Sequence, residues 1–160
     1  MFSPIATYKV AFLWYTFGMI KIIAGGKKNN GWALEACAEY EKRLKKPYDI
    51  VWQFMDEEKL AKFLRDWPFD GRDCVICCDE RGQNISSDEY SQSLEKMFLA
   101  SKNVIILIGG AYGFEPEVRE KADFVWGFSK LVFPHMLARV IAVEQIYRAS
   151  QIASGKPYHH

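Results

Sequence analysis

The alternation of short apolar runs with longer amphipathic stretches, from residue 19 onward, constrains the fold most. The clearest apolar run is 104–108, which reads V-I-I-L-I. A strand that is buried on both faces of a sheet has this composition. Stretches with helical spacing precede and follow it, and such strand–helix alternation is typical of an α/β domain. The sequence therefore predicts an α/β fold, with a mostly parallel sheet and helices on both of its faces.

Periodicity and end signals place the individual elements. Strands are predicted at 19–24, 49–54, 73–78, 103–108 and 124–126. Helices are predicted at 32–45, after the capping residue Asp56, after a Ser86–Glu89 capping box, at 117–122 and at 134–153. The inward face of the last helix is expected to hold Met136, Leu137, Val140, Ile141 and Tyr147.

Length and charge exclude several classes of protein. A chain of 160 residues with 49% hydrophobic residues is a globular chain of about one domain, neither disordered nor collagen-like. The formal net charge is only +1, so charge alone does not indicate a nucleic-acid partner. Residues 19–48 and 119–160 are basic, however, and residues 49–100 are acidic.

The first 18 residues differ from the rest. They carry one charge, Lys9, and the uncharged run at 10–20 is short against the roughly 20 residues of a membrane-spanning helix. One interpretation is a short signal-like segment behind that lysine. The interpretation we favour is an N-terminal extension at 1–18 of doubtful status, before a domain at 19–160 that begins at Met19.

The four cysteines do not predict a metal site. Cys74 and Cys77 have the spacing of half a zinc or redox motif. They fall on a predicted strand, where side chains three positions apart point to opposite faces. We therefore expect buried free thiols and no metal, and we expect a reducing, cytoplasmic compartment with no membrane association.

Three loops are predicted at the carboxyl edge of the sheet, where α/β domains bind ligands. They are Asp79–Gly82, Gly109–Gly113 and the segment 127–135. The glycine loop is not a G-x-G-x-x-G dinucleotide motif, and the motifs of P-loop, zinc-protease and serine-hydrolase sites are absent from the sequence. The segment 128–135 is apolar for a loop, so either a ligand such as an adenine ring pairs with its backbone, or 131–133 forms a sixth strand.

Several motifs in order resemble one family. They are LIGGAYG at 107–113, FSKLVFPH at 128–135, RVIAVEQIYR at 139–148 and PYH at 157–159, together with segments at 20–27, 39–44 and 79–89. This pattern resembles the RlmH family of small SPOUT-class methyltransferases, which modify 23S ribosomal RNA. The resemblance runs from Met19 to the C-terminus and leaves out residues 1–18.

The resemblance implies properties that spacing alone does not give. The fold would be a single SPOUT domain with a C-terminal trefoil knot, and S-adenosyl-L-methionine would bind in the knot. The partners would be a second copy, packed through the last helix as a homodimer, and 23S rRNA within the assembled ribosome. The reaction would be methyl transfer to N3 of a pseudouridine.

Residue by residue, the resemblance gives candidate sites. The cofactor-binding residues would be Cys78, Gly109, Phe128, Ser129, Lys130, Leu131, Val132 and Phe133. Family members often have leucine where this chain has Cys78, a change that removes apolar surface from the adenine pocket. The catalytic candidates are His159 and Tyr158, reaching over from the partner subunit, and Arg139.

Each catalytic candidate has a stated role and an alternative. His159 suits a general base near neutral pH, and the Tyr158 phenol suits its orientation. Arg139 would hold a phosphate or stabilise an enolate oxygen, or it would be a structural partner of Glu144. The tail that carries the first two would otherwise be a frayed end.

RNA binding would use the basic residues, which are otherwise an ordinary solvated surface. They are Lys27, Lys28, Lys42, Arg43, Lys45, Lys46, Arg148 and Lys156. Two further functions remain open on this fold: a non-catalytic RNA-binding ribosome-assembly factor, and methylation of a different RNA base.

Overall fold

The fold is a five-stranded, all-parallel sheet with helices on both faces, in a computed structural model that describes residues 18–28 and 31–158. The strands are β1 (Ile20–Gly25), β2 (Ile50–Met55), β3 (Asp73–Gln83), β4 (Asn103–Ile108) and β5 (Phe124–Trp126). The helices are α1 (Trp32–Glu41), α2 (Glu57–Asp66), α3 (Ser87–Leu99), α4 (Pro116–Lys121) and α5 (His135–Ala153). Apart from Gly18, the predicted N-terminal extension lies outside the described residues.

The strand order is β2-β1-β4-β3-β5, so β4 lies at the centre and every residue of it is buried. All four strand pairs are parallel. A parallel sheet needs both faces covered, which explains why the run at 104–108 is apolar without alternation. The predicted α/β class and parallel sheet are confirmed.

Two hydrophobic clusters fill the space on either side of the sheet. The larger one joins the sheet to α1, α3 and α5, through residues such as Cys37, Leu94 and Ile146. The smaller one joins it to α2 and the segment around α4, through Leu60, Leu64 and Phe114. Because all five strands are parallel, their carboxyl ends and the loops that follow them lie at one edge of the sheet.

Two element predictions need correction, and one open alternative is decided. Helix α1 ends at Glu41 and not at residue 45. After the capping residue Lys42, the amides of Arg43 and Leu44 donate to carbonyls three residues back, in tight turns. Strand β3 continues to Gln83 through a register shift against β5, so the predicted loop at 79–82 is an irregular part of the strand. Residues 131–133 form no strand, and the segment is a loop.

The buried face of α5 also differs from the prediction. Its buried residues are Arg139, Ala142, Val143, Ile146, Tyr147, Ala149 and Ser150. Only Tyr147 was in the predicted set, and Met136, Leu137, Val140 and Ile141 are half-buried. Polar and apolar residues are both spread round this helix, so periodicity does not single out one face.

All four cysteines are free: Cys37 lies in α1, and the other three lie on β3, whose side chains alternate between the two faces of the sheet. Cys77 packs in the smaller cluster with Val75, and Cys78 packs against the larger one with Ile76. Burial raises the pKa of the Cys77 thiol to about 12, so it stays protonated at neutral pH. Across residues 18–28 and 31–158, no cluster of metal-ligating side chains occurs and no helix is long and apolar enough to cross a membrane.

The start of α3 gives a testable stability prediction. Ser86 Oγ accepts a hydrogen bond from the Glu89 amide at 3.1 Å, and Glu89 Oε2 accepts one from the Ser86 amide at 2.7 Å. Ser86→Ala removes the first of these bonds and is expected to lower the free energy of unfolding by about 1 kcal/mol. Urea denaturation measures this, with Ser93→Ala as the control. An equal loss in the two variants would contradict the capping account.

Candidate functional site

A cavity of about 200 Å³ opens at the carboxyl edge of the sheet. Its walls come from the end of β3, the glycine loop after β4, the apolar loop after β5 and the first turn of α5. The residues used below are Cys78, Asp79, Gly109, Tyr112, Trp126, Phe128, Leu131, Val132, Phe133 and His135. Because the sequence places loops after three neighbouring strands, the fold brings these distant segments together.

The glycine loop has a tight shape that side chains would disturb. A Cβ atom on Gly109 would lie 3.0 Å from the Cα of Gly113, and Gly113 itself has a φ of 69°. The amide of Ala111 donates a hydrogen bond to Glu57 Oε1 at 2.9 Å, which ties the loop to the first turn of α2. The loop is therefore held in one conformation while its backbone faces the cavity.

The contact of β3 with β5 forms the base of the cavity. A Cβ on Gly82 would lie 2.6 Å from the Gly127 nitrogen and 2.7 Å from the Trp126 carbonyl carbon. Asn84 Nδ2 donates to the Gly127 carbonyl at 2.7 Å, and the Gly127 amide donates to the Gln83 carbonyl at 3.0 Å. This close approach of two backbones fixes where the apolar loop begins.

Aromatic rings support the cavity from below. The Trp126 ring stacks on Tyr90 at 4.1 Å between centroids, and Phe128 meets Trp126 edge-on at 4.7 Å. Burial raises the pKa of Tyr90 well above its usual value, and its hydroxyl has no hydrogen-bond partner among the described residues. The rings thus form a rigid apolar wall suited to a flat heterocycle.

One carboxylate is built into the cavity wall. The Asp79 side chain is only 5% exposed and lies 3.5 Å from Arg119 Nη1. The same guanidinium nitrogen donates to the Phe114 carbonyl at 2.7 Å, which connects the carboxylate to the end of the glycine loop. Arg119, and Arg81 at 3.9 Å, offset the charge of this carboxylate, which remains a fixed hydrogen-bond acceptor in the cavity wall.

The structure brings six of the eight predicted cofactor residues to this cavity. Cys78, Gly109, Phe128, Leu131, Val132 and Phe133 line it. Ser129 and Lys130 belong to the same loop but do not line the cavity, and Ser129 Oγ accepts a hydrogen bond from the Leu131 amide at 2.9 Å.

Arg139 lies beside the site and not in it. It is 2% exposed, and its Nη2 donates to the Gly25 carbonyl at 2.7 Å. Its guanidinium lies 5.1 Å from the centre of the Phe54 ring, and burial lowers its pKa. Glu144, the alternative partner, pairs instead with Arg148 at 2.6 Å.

Tyr158 lies at the other end of α5 from the cavity. Its ring packs 5.0 Å from Tyr147, and Arg148 Nη1 donates to its carbonyl at 2.9 Å. Burial is the main cause that raises the pKa of its phenol. His135 lines the cavity and lies 13 residues before Arg148, which is about 20 Å along a helix. His159 lies outside the described residues.

Several residues of the cavity were not predicted as site residues, among them Asp79, Tyr112, Trp126 and His135. Asp79 was seen only as part of a loop, and Tyr112 only as part of the glycine motif. His135 was noted only as the last residue of the apolar segment 128–135. The signal for Asp79 was available, since it is an acidic residue directly after an apolar strand.

Comparison with known proteins identifies the family. A family model described as a predicted SPOUT methyltransferase matches residues 19–159. The chain belongs to the SPOUT methyltransferase family. It is 37% identical to the ribosomal RNA large subunit methyltransferase H of Caldicellulosiruptor bescii, over 88% of this chain and 99% of that protein. The protein of the same name from Cytophaga hutchinsonii is 36% identical, over 84% and 95%.

A similar fold is found in a solved structure. A crystal structure of a probable methyltransferase from Bordetella pertussis Tohama I aligns with a TM-score of 0.53 and 12% identity. The alignment covers 88% of this chain and 98% of that one. At this identity the likeness concerns the fold alone, and the predicted membership of the RlmH-like SPOUT proteins rests on the sequence relatives.

Proposed function

We propose that this chain is an S-adenosyl-L-methionine-dependent methyltransferase that methylates N3 of a pseudouridine in 23S rRNA on the assembled ribosome. The observation that carries the proposal is the cavity where β3, the glycine loop and the apolar loop meet. The relatives named ribosomal RNA large subunit methyltransferase H support the substrate class. We propose the cytoplasm as its compartment.

The residues of the cavity fit the cofactor. Trp126 and Phe128 offer flat apolar surface for an adenine ring, and the backbone of 131–133 offers donors and acceptors for its edge. Asp79, which is held by Arg119, supplies a carboxylate oxygen as a hydrogen-bond acceptor for the polar end of the molecule. When bound, S-adenosyl-L-methionine supplies a methyl group activated by a positively charged sulfur.

Side chains of this protein would accept the proton that leaves N3 of the base. Nitrogen N3 of the base carries a proton that must leave for the nitrogen to act as a nucleophile. We assign its acceptance to the His159 imidazole, with the Tyr158 phenol orienting that ring. Arg139 enters the proposal as a positioning residue, since its bond to the Gly25 carbonyl holds the end of β1 beside Gly110.

Two observations support a homodimer. Leu137, Ile141 and Ile152 leave apolar surface of α5 half-exposed in the single chain, and such surface favours a partner. Tyr158 also lies at the end of α5 far from its own cavity. A second copy packed along α5 would bring the tail of one subunit to the cavity of the other.

The basic surface that would face RNA is small. Lys27 and Lys28 are exposed after β1, and Lys45 follows α1. Lys42 and Arg43 are partly neutralised by Glu39, at 2.6 and 3.9 Å. With few phosphate contacts, we propose weak binding to a free stem-loop and productive binding to the ribosome.

Cofactor binding tests the proposal and gives a graded prediction at Cys78. One buried methylene is worth about 0.8 kcal/mol, or about fourfold in affinity. If the adenine packs on Cys78, the leucine of Cys78→Leu adds apolar contact, and the Kd for S-adenosyl-L-methionine measured by calorimetry will fall at least about fourfold. In Cys78→Ala the contact is smaller, and the Kd will rise. Equal Kd values in the three proteins would remove Cys78 from the cofactor site, and a wild-type protein that does not bind would contradict the proposed function.

A further inference from the structure

A second cavity, of about 330 Å³, lies on the other side of the glycine loop, between α2 and the segment around α4. It shares Gly110, Tyr112, Gly113 and Phe114 with the first cavity. We infer that this second cavity receives an unpaired nucleobase of the RNA substrate, a neighbour of the nucleotide that is methylated. The inference rests on the proposed function and adds a subsite to it.

The shared rim carries an aromatic ring that nothing in the described chain covers. Tyr112 is 91% exposed, the largest exposed fraction among the exposed large hydrophobic residues described. A protein gains nothing for its own stability from such a ring. Proteins that bind unpaired RNA stack the bases on exposed aromatic side chains of this kind.

The rest of the second cavity suits a base better than an apolar side chain. Leu60, Leu64 and Phe69 give it an apolar wall. Its edge carries possible donors, Arg65 and Lys121, and possible acceptors, Glu115 and Glu117. A nucleobase has flat apolar faces and an edge with both donors and acceptors, so it matches the wall and the edge together. An apolar side chain of a partner would use the apolar wall only and would make no hydrogen bond to this edge.

The glycine loop that carries Tyr112 is held in place before any ligand binds. The amide of Ala111, next to Tyr112, is fixed by Glu57 Oε1, and the Gly113 amide donates to the Gly110 carbonyl at 3.2 Å. A ring on a fixed backbone loses less conformational freedom on binding than one on a mobile loop. Because the same loop borders the cofactor cavity, a base seated here would hold the next nucleotide close to the methyl donor.

The test uses the full chain, S-adenosyl-L-methionine and 70S ribosomes that lack the methylation. Tyr112→Ala is expected to raise the KM for ribosomes about five- to 150-fold, as expected for the loss of one stacked base. The kcat at saturating ribosomes is expected to stay unchanged. Because Tyr112 also borders the cofactor cavity, the Kd for the cofactor is measured beside the KM, and the base subsite requires the KM to rise by a larger factor than the Kd. Tyr112→Phe keeps the stacking face and should restore the wild-type KM.

Two more variants complete the design. Ala61→Leu narrows the second cavity from α2 without touching the first, and should also raise the KM. Leu99→Ala, 86% exposed at the end of α3, is the control and should leave the KM unchanged.

The outcomes separate the two claims. A KM for Tyr112→Ala equal to that of Leu99→Ala, in an active enzyme, would overturn the base subsite and leave the methyltransferase function standing. If the Kd for the cofactor rises in Tyr112→Ala by the same factor as the KM for ribosomes, the ring belongs to the first cavity and the base subsite is overturned. A wild-type chain that methylates no rRNA would overturn both claims.

Discussion

Replacing His159 by alanine is expected to lower kcat for rRNA methylation by about 100- to 10,000-fold, the usual contribution of a general base. The N3 proton would lose its acceptor, while every residue that lines the cofactor cavity would remain. The Kd for S-adenosyl-L-methionine should therefore stay at the wild-type value. Steady-state transfer of a radiolabelled methyl group to saturating 70S ribosomes measures kcat, and calorimetry measures Kd.

His160→Ala is the matched control, because it removes the adjacent imidazole. Its kcat should stay close to that of the wild type. If the tail acts on the cavity of the other subunit, a mixture of His159→Ala chains with Gly109→Val chains should recover activity that neither variant has alone. Unchanged turnover in His159→Ala would contradict the role of the tail, and no recovery in proven mixed dimers would contradict its action on the partner.

Gly82→Ala is expected to lower the free energy of unfolding by about 3 kcal/mol, because the new methyl group would clash with backbone atoms of β5. Backbone atoms of Trp126 and Gly127 lie within 2.7 Å of the place it would occupy. For a chain of this size the midpoint of thermal unfolding should fall by about 6–12 °C. Since Trp126 lines the cavity, cofactor affinity should fall as well.

Gly31→Ala is the control for this substitution. Its added Cβ would meet only the end of Met136, at 3.9 Å, and its φ of −131° suits any residue. The expected loss is at most about 1 kcal/mol, at the first position before α1. Calorimetric unfolding of both variants measures the difference. An equal loss in the two would mean that the contact of β3 with β5 tolerates a side chain.

The strands were predictable because their chemistry is local. The buried run at 104–108 and the capping box at Ser86 each carry their own signal, and both occur where the sequence places them. Strand β3 was predicted too short, because its continuation through Gly82 depends on a close approach to β5 that no local pattern records.

The inward face of α5 was mispredicted for a related reason. Polar and apolar residues are both spread round the helix, so only the tertiary contacts explain why Arg139 is buried and Ile141 is half-exposed. The cavity residues were predicted from the family resemblance, and the fold brings six of the eight together. The trefoil knot, the dimer and the roles of Tyr158 and His159 stay predictions, since each depends on chain crossing or on a second copy.

The central claim is tested most directly by offering the full chain and radiolabelled S-adenosyl-L-methionine to 70S ribosomes that lack this methylation, and by mapping the label. The account predicts label on N3 of a 23S pseudouridine. Label on a different RNA base would contradict the assigned target. No label together with no cofactor binding would contradict the enzyme itself and favour a ribosome-assembly factor built on the same fold.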